Sequence, residues 1–409
     1  MTITTVLQLI GMPLAIYFCF YGFYWLILVL AGREKAHQKF LINRDNPEVL
    51  LILPAYRPGP IFRQVLDSVA RATRHRNIRT YVLLQRADAE YQKYAQQKGF
   101  WVEAQDFDHL PGNSYQHALR FISQRIYARQ NQRMINPEFV MLLDKDNLIA
   151  PDFFDHIPPR VFDQYDIIQG KRLSLSTTNA VSFFDHMAER LNDTMFRYAK
   201  QNLGCMIEIS GSGALIETDL FIDTIQKLDP QAPGFDKNFM INLLDSKREV
   251  RTIFWPASTL QEEKTSQLDA HNPQRIRWFG EQYYNAIYHG SQLLRSAIRH
   301  KRWAPIDYLI TLYRPPRSVQ VVLVSLLAFV ELGTYTWAGH WPFMFPWMLV
   351  AAGLQTVAIA IFVIKQKALL RSVRYSLRLP LLAMHNFGNA MKSIRKENQG
   401  KFIHTKHHL

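Results

Sequence analysis

The chain has 409 residues, 48% of them apolar and 20% charged, with 48 Lys+Arg against 34 Asp+Glu and a net charge of +14. That apolar content excludes a chain dominated by disorder, and two cysteines, Cys19 and Cys205, exclude a disulfide-stapled module. The charge alone points to nucleic acid or a membrane surface, so its distribution along the chain decides.

Residues 1–31 carry no charged side chain, and 21 of the 25 residues in 6–30 are apolar or aromatic. At about 1.5 Å per residue this run crosses a roughly 30 Å hydrocarbon core. It lacks the basic start and short apolar stretch of a cleaved signal peptide, and Pro13 implies a kink that a membrane helix tolerates.

Residues 47–316 read as alternating strands and helices. Apolar runs predict strands at 49–53, 81–84, 101–104, 139–143 and 206–209, and helical periodicity predicts helices at 61–69, 91–98 and 115–130. The alternation predicts a parallel, doubly wound sheet whose ligands bind at the carboxyl ends of its strands. Further apolar runs follow at 319–338 and 343–364.

Basic residues flank one side of all three spans: Arg33, Lys35 and Lys39 after the first, Arg314 and Arg317 before the second, Lys365, Lys367 and Arg371 after the third. The positive-inside pattern predicts an outside N-terminus, with the middle region and the C-terminus in the cytosol. Residues 365–409 hold ten Lys/Arg and one acid, which leaves 38 basic and 32 acidic residues in 32–318. The excess belongs to a membrane-facing tail, and a nucleic-acid partner is not expected.

Asp144 and Asp146 end the 139–143 strand. Two carboxylates there suit a divalent cation, Mg²⁺ or Mn²⁺, and through it a diphosphate; taken alone, the pair also reads as a solvated acidic turn. Asp236 precedes an amphipathic run and reads alone as a first-turn acid. Ser210, Gly211, Ser212 and Gly213 form either a turn or a close backbone approach to a ligand. Gln274, Arg277 and Trp278 combine an amide, a planar cation and an aromatic plate, suited to a diphosphate and a sugar ring or to an interfacial helix face. Glu331 lies inside the second span, as a functional acid or as one that reaches a polar partner.

Taken in order, Leu53-Pro-Ala55-Tyr56, Asp144-Lys-Asp146, Ser210-Gly-Ser-Gly213, Asp236, Glu262-Glu-Lys264 and Gln274-x-x-Arg277-Trp278 resemble the membrane-integrated family-2 glycosyltransferases. That group includes synthases of cellulose, hyaluronan and poly-N-acetylglucosamine, and ceramide glucosyltransferases. The resemblance covers roughly residues 50–280.

It implies a GT-A-type α/β sheet between one N-terminal and two C-terminal transmembrane helices, with amphipathic interface helices. The expected divisions are a helix at 1–31, the GT-A domain at 32–278, interface helices at 279–318, two spans at 319–364 and a basic tail at 365–409. It further implies metal binding by Asp144 and Asp146 and nucleotide-sugar binding by Ala55, Tyr56, Gln85, Asp144, Gly211, Ser212 and Gly213. Asp236 is the implied general base, with Gln274, Arg277 and Trp278 on the leaving diphosphate and the acceptor.

The chain departs from the family at Gln85, where an Asp is usual, at Gly112-Asn113 in place of Gly-Lys, and at Phe235, where a Glu precedes the base. A Gln carbonyl still accepts from a uracil N–H, so a UDP-sugar is the expected donor. The expected activity is inverting transfer to an envelope or exported polysaccharide at the inner or plasma membrane. Three spans are few for a channel, so export calls for a homodimer or a partner protein. The rival readings are single-sugar transfer to a lipid acceptor and a non-catalytic membrane scaffold.

Overall fold

The computed structural model describes residues 3–34, 46–74, 76–175, 177, 179–262, 268–343 and 345–395. Lys35, Lys39, Glu263 and Lys264, named above, lie outside them. The strands are β1 (Val49–Tyr56), β2 (Ile78–Gln85), β3 (Trp101–Ala104), β4 (Phe139–Leu142), β5 (Asn147–Ile149), β6 (Ile167–Ser174), β7 (Ala214–Glu217) and β8 (Thr252–Glu262).

The helices begin with α1 (Ile3–Ala31), α2 (Ile61–Thr73), α3 (Ala89–Gln97), α4 (Ser114–Asn131), α5 (Pro159–Gln164) and α6 (Ala180–Asn192). A π-helix (Asp193–Tyr198) leads into α7 (Ala199–Asn202), then α8 (Thr218–Gln226), α9 (Asp236–Asp245), α10 (Leu268–His300) and α11 (Ala304–Leu312). Last come α12 (Arg317–Ala338), α13 (Trp347–Lys365), α14 (Leu369–Ser376) and α15 (Leu379–Ser393).

Two compact units divide the chain. One comprises the described residues of 36–189, 205–312 and 392–395; the other comprises those of 1–35, 190–204 and 313–391.

The first unit is built on a sheet of order β3-β2-β1-β4-β7-β6-β8-β5. The predicted parallel sheet is present in β3, β2, β1 and β4, but β7 runs antiparallel to both β4 and β6, so the whole sheet is mixed. β1 is apolar throughout because both its faces are covered. Leu50 and Ile52 face the core shared with Leu119, Ile122 and Phe239, while Leu51 and Leu53 face Phe62, Val65 and Leu66 of α2. Connections leave β1 toward β2 on one side and β4 on the other, which opens a crevice at their carboxyl ends.

Residues 206–209, predicted as a strand, form none. Ile207 and Ile209 are buried as the pattern required, but the N–H of Ile207 donates to Thr252 Oγ1 and that of Ser210 to Gln169 Oε1. Side chains take the place of a ladder. The strand in this region is β7, after the glycine-containing loop.

In the second unit, three helices are long and apolar enough to cross a membrane: Gly11–Ala31 of α1, then α12 and α13. The last two begin at Arg317 and Trp347, against 319 and 343 expected from sequence. Gly22 brings α1 close to α13, where a Cβ would lie 3.3 Å from Ala351 O. Lys365 Nζ donates to Val29 O at 2.8 Å, so the carboxyl ends of α1 and α13 meet. α12 runs the other way: Glu331 Oε2, near its carboxyl end, accepts from Leu349 N at 2.9 Å. The amides of Trp347 and Met348 also reach this carboxylate, which therefore caps α13 from a neighbouring helix. The basic ends of the three helices share one side of the unit.

Candidate active site

Of the sequence-predicted residues, Asp144, Asp146, Asp236, Arg277 and the 210–213 loop meet at the crevice of the first unit. β4 ends in Leu142, and the chain turns through Asp144 and Asp146, closed by Asn147 N donating to Asp144 O at 3.1 Å. Asn147 Nδ2 donates to Asp146 Oδ1 at 2.9 Å. The Asp144 N–H donates to Ser212 Oγ at 3.0 Å, which ties the carboxylate turn to the glycine-containing loop. Lys145 Nζ reaches back to the carbonyls of Tyr56 and Arg57, joining the β1 and β4 ends.

That loop is shaped from below by Gln169 of β6, whose Oε1 accepts from Ser210 N and whose Nε2 donates to Ser212 O. Gly213 has φ +75°, a left-handed conformation that favours glycine. A Cβ on Gly211 would come 2.9 Å from Asp236 Oδ1. Glycine at 211 therefore lets the loop lie against the first residue of α9.

Burial raises the pKa of Asp144, and the charges of Asp146 and Asp236 raise it further. Asp236 is also raised, by burial first and then by Glu281, against the opposing pull of Lys237, Arg172 and Arg277. Three carboxylates thus repel one another in a partly desolvated site. Tyr115 of α4 leans over them, its hydroxyl 3.5 Å from Asp144 Oδ1.

α10 carries Gln274, Arg277 and Trp278 in one uninterrupted helix through His300. Arg277 acts electrostatically on both Asp236 and Lys145. Arg275 pairs with Asp185 and lies 4.6 Å above the Trp278 ring, which fixes that ring's plane. Gln274 Oε1 is buried with no hydrogen-bond partner among the described residues.

At the other rim, Gln85 ends β2 beside Tyr56. It is 1% exposed, and neither amide atom has a partner among the described residues. Tyr56 donates to Asp108 at 2.9 Å, and Asp108 in turn pairs with Arg86 at 2.7 Å. The Ala55 side chain lies in the core, so only its backbone faces the crevice. Asn113 caps α4, accepting from Tyr115 N, and donates to Pro233 O, which supports the segment before Asp236.

Sequence reasoning missed two charged residues. Arg172 of β6 is half-buried and bridges Glu189 at 3.0 Å and Glu262 at 3.3 Å. Glu281, 5% exposed, accepts from Lys237 N at 3.0 Å, and it packs so closely on Gly234 that a Cβ there would sit 2.4 Å from its carboxyl group. Glu281 was detectable, because it follows Arg277 by four residues and so shares its helix face. Arg172 had a weaker signal, as a cation inside a strand.

The donor set suits a divalent cation. Asp144 and Asp146 offer two hard carboxylate oxygens whose mutual repulsion a cation would relieve. No group of three His, Cys, Asp or Glu able to hold a metal occurs among the described residues. The remaining ligands would therefore come from substrate and water, as is common for Mg²⁺.

Sheet order, crevice and carboxylate turn define a GT-A-type nucleotide-sugar-transferase fold. The chain belongs to the family described as "Glycosyltransferase like family 2", whose sequence profile matches residues 47–281. Among solved structures it is similar to the mannosyltransferase PcManGT from Pyrobaculum calidifontis in complex with GDP-Man and Mn²⁺. The identity is 12%, the TM-score 0.51, and the match covers 96% of this chain and 99% of that one. A second match, to glucosyl-3-phosphoglycerate synthase from Mycobacterium tuberculosis, has 14% identity and TM-score 0.36, with 61% and 78% covered. No curated protein matches by sequence.

Proposed function

We propose that the protein is an inverting, membrane-integrated glycosyltransferase that moves a sugar from a nucleotide donor to a growing envelope or exported polysaccharide. The observation that supports this most is the meeting of Asp144, Asp146 and Asp236 in one half-buried crevice beside Arg277. Asp236 accepts the proton of the acceptor hydroxyl, a role worth roughly 10²–10⁴-fold in rate. That oxygen attacks the anomeric carbon from the face opposite the diphosphate, and the configuration inverts. Arg277 faces the departing diphosphate, and Trp278 offers its ring to the acceptor sugar.

Asp144 and Asp146 would hold Mg²⁺ or Mn²⁺, which supplies charge neutralisation for the leaving group when bound. Gln85 offers one donor and one acceptor to the base, a pairing that fits the N–H and carbonyl of uracil; a UDP-sugar is the first donor to test. The sheet domain is cytosolic in this reading, with the N-terminus outside. The polymer reading draws on Gln274, Arg277 and Trp278, the motif of chain-elongating relatives.

The test is turnover of a panel of nucleotide sugars by the purified full chain in lipid, with Mg²⁺ and with Mn²⁺. Long glycan is the expected product. A single-sugar lipid product would replace the polymer reading, and no transfer from any donor would favour a scaffold.

A further inference from the structure

The basic end of the three-helix unit gathers cations that the transfer reaction does not use. At its centre is Phe196, 3% exposed, on the π-helix. Arg314, Arg317 and Lys200 approach its ring centroid to 4.3, 5.5 and 5.6 Å. An aromatic face attracts a cation, but three cations around one ring repel one another. Arg190, near the end of α6, and Arg197 on the π-helix both pair with Asp193, Arg190 at 3.7 Å. Arg317 also donates to the neutral carbonyl of Asn192. Among the described residues, Asp193 and Glu34 stand beside these basic groups, Glu34 hydrogen-bonded to Tyr198.

A second observation stands beside the charge. Gln320 lies one turn along α12 from Arg317, on the same face. It is 1% exposed, and neither end of its amide has a partner among the described residues. A buried amide left this way is costly unless a ligand or water completes it. The π-helix adds weight, since such segments are rare and recur at functional sites.

We infer that this cluster binds the phosphate of an anionic lipid headgroup, with Arg314 and Arg317 as its principal contacts. Guanidinium groups match phosphate oxygens in geometry and charge. The bilayer is the source because the cluster sits at the ends of the three spanning helices, where headgroups lie. The inference rests on the membrane reading above.

The test places the full chain in phosphatidylcholine bilayers and adds phosphatidylglycerol stepwise, with thermal unfolding as readout. The wild type should show a saturable rise in Tm. The double variant Arg314→Gln/Arg317→Gln should match it in the neutral bilayer but need at least tenfold more phosphatidylglycerol. Arg317→Lys should restore part of the response. Arg371→Gln/Arg374→Gln, which removes charge from α14, should keep the saturable step.

Identical titration of the Arg314/Arg317 variant and the wild type overturns the site, as does loss confined to the α14 variant. Inorganic phosphate alone, in detergent, gives an equal rise only if the site takes free phosphate, which overturns the lipid assignment. Should the double variant fail to fold, Gln320→Leu replaces it and should weaken the same response. A carbonate wash of native membranes keeps the two readings apart. Release of the protein defeats the spanning helices, whereas a retained protein without the saturable step defeats only the lipid site.

Discussion

The carboxylate of Glu281 accepts a hydrogen bond from the backbone N–H of Lys237, the residue after the proposed base Asp236. It holds the start of α9 while raising the proton affinity of its neighbour. Glu281→Gln keeps the shape and removes the charge, so the pKa of Asp236 falls. A base with a lower pKa stays ionised in more acidic solution, and the acid limb of the pH–rate profile should move to lower pH. The rate at pH 8 should stay within about tenfold of wild type, because the proton acceptor itself remains. An unmoved limb would remove Glu281 from this role.

Asp236→Asn should lower kcat by roughly 10²–10⁴-fold while leaving donor affinity near wild type. Single-turnover rates and equilibrium donor binding check the two halves. Unchanged turnover would transfer the base role elsewhere.

Gly211→Ala puts a methyl group 2.9 Å from Asp236 Oδ1. Displacing a reacting group by about 1 Å can cost on the order of 10²-fold. We expect a fall in kcat with little change in Tm, since the crowding is local to the crevice.

Arg172→Met leaves buried Glu189 and half-buried Glu262 without their shared cation. Breaking one side of such a group costs about 3–5 kcal/mol. Denaturant unfolding should show that loss, and Arg172→Lys should recover part of it. Equal stability of the Met variant would mean that the two glutamates ionise comfortably without the arginine.

Cation affinity should rise with pH. Burial and neighbouring carboxylates hold the Asp144 pKa above its ordinary range, so protons compete with the cation below neutrality and withdraw as pH increases. Titration of the full chain with Mn²⁺ at two pH values checks the sign. Chelation should abolish turnover, with recovery on readdition of Mn²⁺ or Mg²⁺.

Much of this was legible in the sequence because each signal had a simple physical origin. β1 announced itself as an apolar run, since both its faces are covered, and Asp144 and Asp146 were placed by the end of another such run. Residues 206–209 misled for the same reason: burial set their composition, while Thr252 and Gln169 replaced the ladder partners that would have made them a strand. The antiparallel β7 carries no periodicity distinct from a parallel strand. Arg172, a cation inside a strand, gave only a weak signal, because its meaning depends on Glu189 and Glu262, 17 and 90 residues away.

The cap that Glu331 places on α13 bears on how the protein is made. A carboxylate inside an inserting helix costs up to about 2.5–3.5 kcal/mol when it has nothing to bind. Among the described residues, Glu331 finds its amides on the first turn of the next helix, so α12 by itself is a poor passenger for the insertion machinery. The two helices are expected to enter the bilayer as a hairpin. Chains truncated after Gly339 should insert α12 less completely than chains that continue through Lys365, and glycosylation mapping of the intervening turn would reveal the difference. If Glu331→Gln inserts no better than the native sequence in the truncated chain, the order of assembly is set by something else.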